Sequence, residues 1–220
     1  MTDSPVLDLL AQHRLVPVIV LDHVSAARPL ADALLAGGLP VAEITLRTPS
    51  AMSVLEAMAG ESSLLVGAGT VLDVEQVEQA ASVGARFIVS PGFDRDVVQR
   101  AQQLGTVPIP GVATATELQA ARRAGIDVVK FFPARALGGV PALRALAAPF
   151  PGIRFVPTGG INADDLADYL AIPSVVAVGG SFMVASAALA DEDWEGITQR
   201  VRDAVGLVRG EGQAASRTPR

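Results

Sequence analysis

Short apolar runs alternate with longer stretches of helical periodicity along the chain. In the longer stretches apolar residues recur every three or four positions, as in SAARPLADALLAGG (25–38) and TATELQAARRAG (114–125), and both end in glycine, as helices often do. The apolar runs have the length and the valine and isoleucine content of buried strands. There are eight of them: VPVIVL from Val16, VAEITL from Val41, LLVGAG from Leu64, RFIVS from Arg86, VPIP from Val107, DVVKFF from Asp127, RFVPT from Arg154 and SVVAVG from Ser174.

Strand and helix patterns repeated eight times predict an α/β protein with a parallel sheet covered by helices. Such a sheet is either open and wound on both sides or closed into a (β/α)8 TIM barrel. Eight units favour the barrel, here with few insertions, because the usual barrel has about 250 residues. Residues 1–14 predict an extra N-terminal helix. We expect a single domain over residues 1–208 and a disordered tail at 209–220.

Composition and charge argue against several classes of function and partner. The chain has no cysteine, which excludes disulfides, thiolate metal sites and cysteine nucleophiles and suits a reducing cytoplasm. No signal peptide or apolar run of membrane-spanning length is evident, so we expect a cytoplasmic protein without a membrane partner. A formal net charge of −6 argues against nucleic acid as a partner. His13 and His23 are the only histidines, and no pair at ligand spacing predicts a metal site.

Polar residues and glycines collect where the predicted strands end. In parallel barrels this rim carries the chemistry, and the opposite rim serves stability. The residues at these ends are Glu43, Arg47, Thr70, Ser90, Pro91, Pro110, Lys130, Thr158, Gly159, Gly160, Gly179, Gly180 and Ser181.

Lys130 is the only lysine among 17 basic residues, and it interrupts an apolar strand. Strand alternation places it on one face with Val128 and Phe132, and it places Glu43 and Arg47 together on the inner face of the second strand. The second and sixth strands are both even-numbered and can contribute to the same interior layer. We therefore expect Glu43 and Lys130 to face each other near the mouth of the barrel.

An amine at this position can act as a nucleophile. Burial and a nearby guanidinium such as Arg47 disfavour a charged amine, and a neutral amine can attack a ketone to form a Schiff base. Glu43 would then carry protons. The alternatives are a lysine whose stem packs in the core, a Glu43 that only forms an ion pair, and an Arg47 that lies on the surface rather than binding a carboxylate.

Two glycine-rich loops follow the seventh and eighth strands, TGGIN from Thr158 and VGGSF from Val178. These loops commonly hold phosphate in this architecture, through backbone N–H groups and the start of the next helix. The alternative is that the glycines only form tight turns, as we also interpret GAGT from Gly67. Asn162, three residues before Asp165, predicts a helix cap rather than a ligand.

Seven motifs, in the same order, resemble the 2-keto-3-deoxy-6-phosphogluconate (KDPG) aldolases, also called 4-hydroxy-2-oxoglutarate (KHG) aldolases. The resemblance extends from about Val16 to Leu207 and implies a class I aldolase on a (β/α)8 barrel, a homotrimer without a cofactor. It implies cleavage of the keto sugar acid phosphate to pyruvate and glyceraldehyde 3-phosphate. The motifs are EITLRT from Glu43, GAGTVL from Gly67, FIVSPGF from Phe87, IPGVAT from Ile109, KFFPA from Lys130, PTGGI from Pro157 and VGGSF from Val178.

The resemblance also implies roles for single residues. Lys130 would form the Schiff base and Glu43 would accept and donate protons. Binding of the substrate would fall to three groups: Arg47, Thr70 and Thr158 for the carboxylate or hydroxyls, Pro91 and Phe132 for the walls, and Gly159, Gly160, Gly180 and Ser181 for the phosphate. The chain departs from many relatives at Arg135, where they carry an acidic residue, and at the end of the first strand, where some have an arginine.

Three functions therefore stay open. The first is a KDPG aldolase that would also act on KHG to give pyruvate and glyoxylate. The second is an aldolase that prefers the galactonate epimer or the unphosphorylated acid. The third is a sugar-phosphate-binding barrel without turnover, and the presence of both Lys130 and Glu43 counts against it.

Overall fold

Parallel strands and helices alternate in the computed structural model, which describes residues 4–210. The strands are β1 Leu15–Ile19, β2 Val41–Thr45, β3 Leu65–Gly69, β4 Phe87–Val89, β5 Val107–Ile109, β6 Gly111–Val112, β7 Val128–Phe131, β8 Arg154–Pro157 and β9 Val178–Gly180. The helices are α1 Pro5–His13, α2 Ala27–Ala36, α3 Ala51–Ala59, α4 Val74–Ser82, α5 Arg95–Gln103, α6 Ala115–Arg123, α7 Gly139–Ala147, α8 Leu166–Leu170, α9 Ser186–Ala190 and α10 Trp194–Arg209.

The strands form two parallel sheets. One has the order β5-β4-β3-β2-β1-β9 and the other the order β6-β7-β8. The predicted α/β class with parallel strands is therefore confirmed. Single bridges, Phe155 with Val175 and Thr158 with Gly179, connect the β8 segment to the chain around β9.

Two predicted strands differ from the observed ones. The fifth predicted strand, VPIP from Val107, is observed as β5 up to Ile109, and a further short strand that was not predicted, β6, begins after Pro110. Pro108 and Pro110 have no N–H group to donate to a continuous ladder. The eighth strand was predicted from Ser174 but its ladder begins at Val178, whose N–H donates to Arg14 O at 2.9 Å. Val175 upstream forms only an isolated bridge.

The ends of the chain follow the prediction in part. The extra N-terminal helix is present as α1, and its Leu7 lines the same cavity as Val107 and Val128, which begin β5 and β7. Helix α10 continues to Arg209, because Gly210 adopts a left-handed cap conformation with φ of 76°. The disordered tail predicted for 209–220 otherwise lies outside the described residues. No helix within residues 4–210 is long and apolar enough to cross a membrane.

The core lies between the strands and the surrounding helices. Every residue of β1 and β2 is buried, as expected for strands covered on both faces, and Phe87, Phe131 and Phe155 are the largest fully buried side chains. Burial of one such ring contributes roughly 1.5–3 kcal/mol. Few polar residues share this interior, and the buried ones are Glu43, Thr45, Ser90, Thr106, Lys130 and Thr158.

Candidate active site

A lysine and a glutamate meet inside the protein. Lys130 Nζ on β7 lies 3.3 Å from Glu43 Oε1 on β2, with the side chains only 4% and 3% exposed. The Lys130 backbone is fixed between neighbouring strands, since its N–H donates to Pro110 O at 2.9 Å and it pairs in register with Val156. The structure thus brings together the two residues that strand alternation places face to face.

Both charges are costly to hold here, because each is removed from water. Their proximity offsets part of this cost. A proton that passes from the amine to the carboxylate removes both charges at once and frees the nitrogen lone pair. The geometry therefore suits a nucleophilic amine with its own proton acceptor.

The carboxyl group of Glu43 lies over a glycine. A Cβ on Gly69 would overlap the Glu43 side chain, with Glu43 Cγ only 2.7 Å away. Gly67 likewise leaves room for the Phe87 ring. Both glycines lie within β3, so the interpretation of GAGT as a tight turn is wrong: these residues make space across the sheet.

Arg47 lies just beyond β2 and is exposed on the surface, and its Nε donates to Thr70 Oγ1 at 3.0 Å. Thr70 has a φ of 59°, a left-handed conformation that is rare for a β-branched residue and costs about 1–3 kcal/mol. Such strain is common at functional sites. Two further threonines hold the turn after β2 that carries Arg47. Thr45 Oγ1 donates to Ile19 O at 2.7 Å, and Thr48 Oγ1 donates to Leu21 O at 2.8 Å.

Thr158 directly follows β8 and is only 4% exposed. Its hydroxyl donates to Val156 O at 3.3 Å and lies over Gly179, where a Cβ would overlap the threonine side chain. The two loops that begin here are adjacent, because the Cβ position of Gly180 is 3.7 Å from Ile161 O. Gly159 and Gly160 have left-handed φ values of 105° and 75°, and Ser181 is exposed.

Phe132 lies beside the amine, and Pro91 lies one strand away from Lys130. Pro91 is half-buried, and its carbonyl approaches Gly111 so closely that a Cβ there would overlap it. Gly111 is the register partner of Lys130, which places Pro91 one strand away from the amine. Lys130 Nζ lies over the Phe132 ring, 5.0 Å from its centre. Ser90, by contrast, donates to Gly92 O at 2.7 Å within its own loop.

Arg135 lies at the edge of the glycine loops. Its stem packs over Gly160, its Nη1 donates to Gly160 O at 3.3 Å, and Asp165 Oδ2 is 4.0 Å away. Burial raises the pKa of the nearby Tyr169, the Asp165 carboxylate raises it further, and Arg135 opposes the shift. Arg135 is therefore a long, exposed cation beside the two glycine-rich loops. The Asp165 carboxylate, 4.0 Å away, offsets only part of its charge.

Other predicted residues lie away from this group. Asn162 and Asp165 exchange hydrogen bonds of 3.2 and 3.1 Å between side chain and backbone N–H. These bonds hold the turn before α8; the N-cap position of the helix is Asp165, without a side-chain cap bond, so Asn162 is not the cap that the sequence predicts. His23 precedes a 3₁₀ turn and His13 ends α1, where burial and then Arg209 lower the pKa of the His13 imidazole. No group of three or more possible metal ligands occurs in the part of the chain described.

Sequence patterns missed the residues that act by making room or by holding the backbone. Gly69 and Gly179 lie beneath Glu43 and Thr158, and Thr45 and Thr48 fix the turn that carries Arg47. The register Thr45 with Gly69 would have revealed the first of these, because it sets Gly69 beside the inward face of β2.

The model of the KDPG and KHG aldolase family matches residues 6–200. The 2-dehydro-3-deoxy-phosphogluconate aldolase of Treponema pallidum is 47% identical over 194 residues, 88% of this chain and 92% of that protein. The KHG/KDPG aldolase of Escherichia coli K12 is 46% identical over 192 residues, 86% of this chain and 90% of that protein.

Solved structures agree with these sequence relatives. The KDPG aldolase of Legionella pneumophila, captured with pyruvate as a covalent carbinolamine, superposes with a TM-score of 0.88 at 40% identity, over 91% of this chain and 98% of that one. The Zymomonas mobilis ZM4 enzyme with 3-phosphoglycerate gives 0.86 at 38% identity, over 91% and 95%. Match, identity and superposition all extend over most of the chain, and the protein belongs to the KDPG and KHG aldolase family.

Proposed function

We propose that this protein is a class I aldolase, a carbon–carbon lyase that cleaves KDPG to pyruvate and glyceraldehyde 3-phosphate. The same chemistry would convert KHG to pyruvate and glyoxylate. The observation that carries the proposal is the buried pair: the only lysine of the chain lies 3.3 Å from Glu43 in a member of this family. The Legionella relative holds pyruvate as a carbinolamine, the adduct that precedes a Schiff base.

The reaction follows from this pair. Glu43 accepts a proton from Lys130, and the amine attacks the C2 ketone to form a carbinolamine. Loss of water, with a proton returned by Glu43, gives the iminium ion. Glu43 then removes the C4 hydroxyl proton, the C3–C4 bond breaks, and its electrons form an enamine while the aldehyde departs. Protonation of C3 by Glu43 and addition of water release pyruvate and restore the amine.

The surrounding residues suit the rest of the substrate. Arg47 and Thr70 would bind the carboxylate of the keto acid, since a guanidinium offers paired donors to a carboxylate. Thr158 would bind the carboxylate or a hydroxyl, and Pro91 and Phe132 would form apolar walls. These roles are part of the proposal and rest on position and on the family motifs.

Phosphate would be held by backbone N–H groups of Gly159, Gly160, Gly180 and Ser181. We expected the start of the next helix to contribute as well. The elements that follow are short, however: a 3₁₀ turn, Phe182–Val184, and the five-residue helix α8. The left-handed glycines, rather than a long helix, would present the donors.

The experiment that tests the function is reductive trapping. The protein is incubated with pyruvate and sodium borohydride, and its intact mass and peptides are measured. We expect one reduced pyruvate adduct, on the peptide that contains Lys130. Absence of an adduct at saturating pyruvate would contradict the proposal and favour the binding protein without turnover.

Arg135 gives a prediction about substrate preference. Its guanidinium lies beside Gly160, so it should attract a phosphate but not the small end of KHG. Replacing Arg135 with glutamate should lower kcat/KM for KDPG by about three- to tenfold, a modest effect because the group is exposed and screened by salt. Activity on KHG should change less than about twofold.

Arg123→Glu is the matched control, since it makes the same charge change at the exposed end of α6. Equal losses on both substrates in Arg135→Glu would show that the residue supports the loop rather than the phosphate. The same assays, extended to the galactonate epimer, decide which epimer is preferred; we propose the gluconate form, the substrate named for the relatives.

The finer architecture is also a proposal. We propose that the two sheets close into one (β/α)8 barrel over residues 1–208, supported by the single Pro110 between β5 and β6 and by the bridges from β8 to Val175 and Gly179. We further propose a cytoplasmic homotrimer, as the family resemblance implies. Sedimentation should give three times the chain mass of 22.6 kDa; a monomer would contradict it.

A further inference from the structure

The face of an aromatic ring lies against the reacting amine. Lys130 Nζ is 5.0 Å from the centre of the Phe132 ring, within the distance of about 6 Å at which the negative face of a ring attracts a cation. The lysine side chain is 4% exposed. In a site so far removed from water this attraction is stronger than on a surface, because water does not compete for the charge.

The ring is held in place from two sides. Phe132 follows β7, where alternation sends it to the same face as Lys130, and its N–H donates to Val112 O at 3.2 Å. On the other side Gly159 comes so near that its Cβ position is 3.2 Å from the ring atoms Cδ2 and Cε2. A glycine at this position therefore lets the ring pack against the loop backbone.

The ring supplies a negative potential that does not depend on protonation, whereas the potential of the Glu43 carboxylate does. Glu43 stabilises a positive nitrogen only while it is ionised, and it becomes neutral each time it holds a proton. The quadrupole of the Phe132 ring does not change with protonation. The exposed guanidinium of Arg47 at the same rim opposes a cation, and the ring face offsets this repulsion throughout, including the step in which Glu43 holds the C4 hydroxyl proton.

We propose that the face of Phe132 stabilises the iminium nitrogen on Lys130 relative to the neutral carbinolamine that precedes it, and so increases the fraction of the pyruvate adduct present as Schiff base. In the step concerned the C–O bond of the carbinolamine breaks, the oxygen leaves as water with the proton that Glu43 returns, and the C–N bond becomes the C=N bond of a cationic product. The inference rests on the proposed aldolase function and gives Phe132 an electrostatic role beyond that of an apolar wall.

The test varies the ring's charge distribution at nearly constant shape. Phe132 is replaced site-specifically by mono-, di- and trifluorophenylalanine, which withdraw electron density from the ring face in steps. The fraction of pyruvate iminium is measured by borohydride trapping as a function of pyruvate concentration. We expect the trapped fraction at low pyruvate to fall with each fluorine, by about five- to thirtyfold for the trifluoro ring.

Two controls separate this role from packing. The same series at Phe131, which is buried on the opposite face of β7, should leave trapping unchanged. Phe132→Leu keeps an apolar side chain without a ring and should resemble the trifluoro variant, while thermal unfolding shows that each variant is folded. Equal trapping across the Phe132 series would overturn the inference but not the aldolase, whereas absence of any adduct in the unmodified protein would overturn the aldolase itself.

Discussion

Aldol cleavage is expected to fall to background when Lys130 is replaced by arginine, a loss of at least about 10³-fold. Arginine keeps the positive charge, but its guanidinium stays protonated in proteins and has no free electron pair to attack a ketone. Release of pyruvate from KDPG measures the cleavage. Borohydride trapping measures the adduct, which should disappear as well.

A larger side chain in this buried site can also disturb packing. Lys130→Met is the companion variant, because it has a similar length, no charge and no amine. Both variants should unfold cooperatively and both should fail to trap pyruvate. Cleavage by folded Lys130→Arg within about tenfold of the unmodified rate would refute the assignment of Lys130 as the nucleophile.

Proton transfer should suffer most when Glu43 is replaced by glutamine. The amide has the shape of the carboxyl group but does not accept and return a proton, so exchange of the pyruvate methyl protons should slow by about 10²–10⁴-fold. The measurement is loss of the methyl signal in heavy water, followed by NMR. Binding of pyruvate should weaken much less, because Glu43 is not among the groups proposed to hold the carboxylate.

The same substitution leaves the buried amine without its counter-charge, so folding must be checked. Removal of one partner from a buried ion pair typically costs about 3–5 kcal/mol. Thr45→Val serves as the comparison: it removes a buried hydroxyl from the same strand face without touching the reacting pair. If exchange and pyruvate binding decline to the same extent in Glu43→Gln, the glutamate is a structural partner of Lys130 rather than the proton carrier.

The meeting of Lys130 with Glu43 could be predicted because it needs only strand alternation and the order of strands in a parallel sheet. A lone lysine in an apolar strand is a strong signal under those rules. The same rules place Arg47 and Thr158 at one rim. They do not give the hydrogen bond from Arg47 to Thr70 or the left-handed backbone of Thr70, since both depend on the exact path of a turn.

Contacts between neighbouring strands are a second structural feature that the sequence does not determine. The short strand β6 and the late start of β9 at Val178 depend on hydrogen bonds with neighbouring strands, which periodicity along one strand does not contain. The space that Gly179 leaves for Thr158 is of the same kind. Such features become visible only when the register is known.

The fit of Glu43 over Gly69 bears on how the chain tolerates change. A single methyl group added at position 69 would push the carboxylate away from the amine, so alanine there should be nearly as harmful as loss of the glutamate itself. Position 92, a rim glycine with open space around it, should accept alanine. The range of side chains that β3 can accept is therefore limited at Gly69, although a glycine has no reactive group of its own.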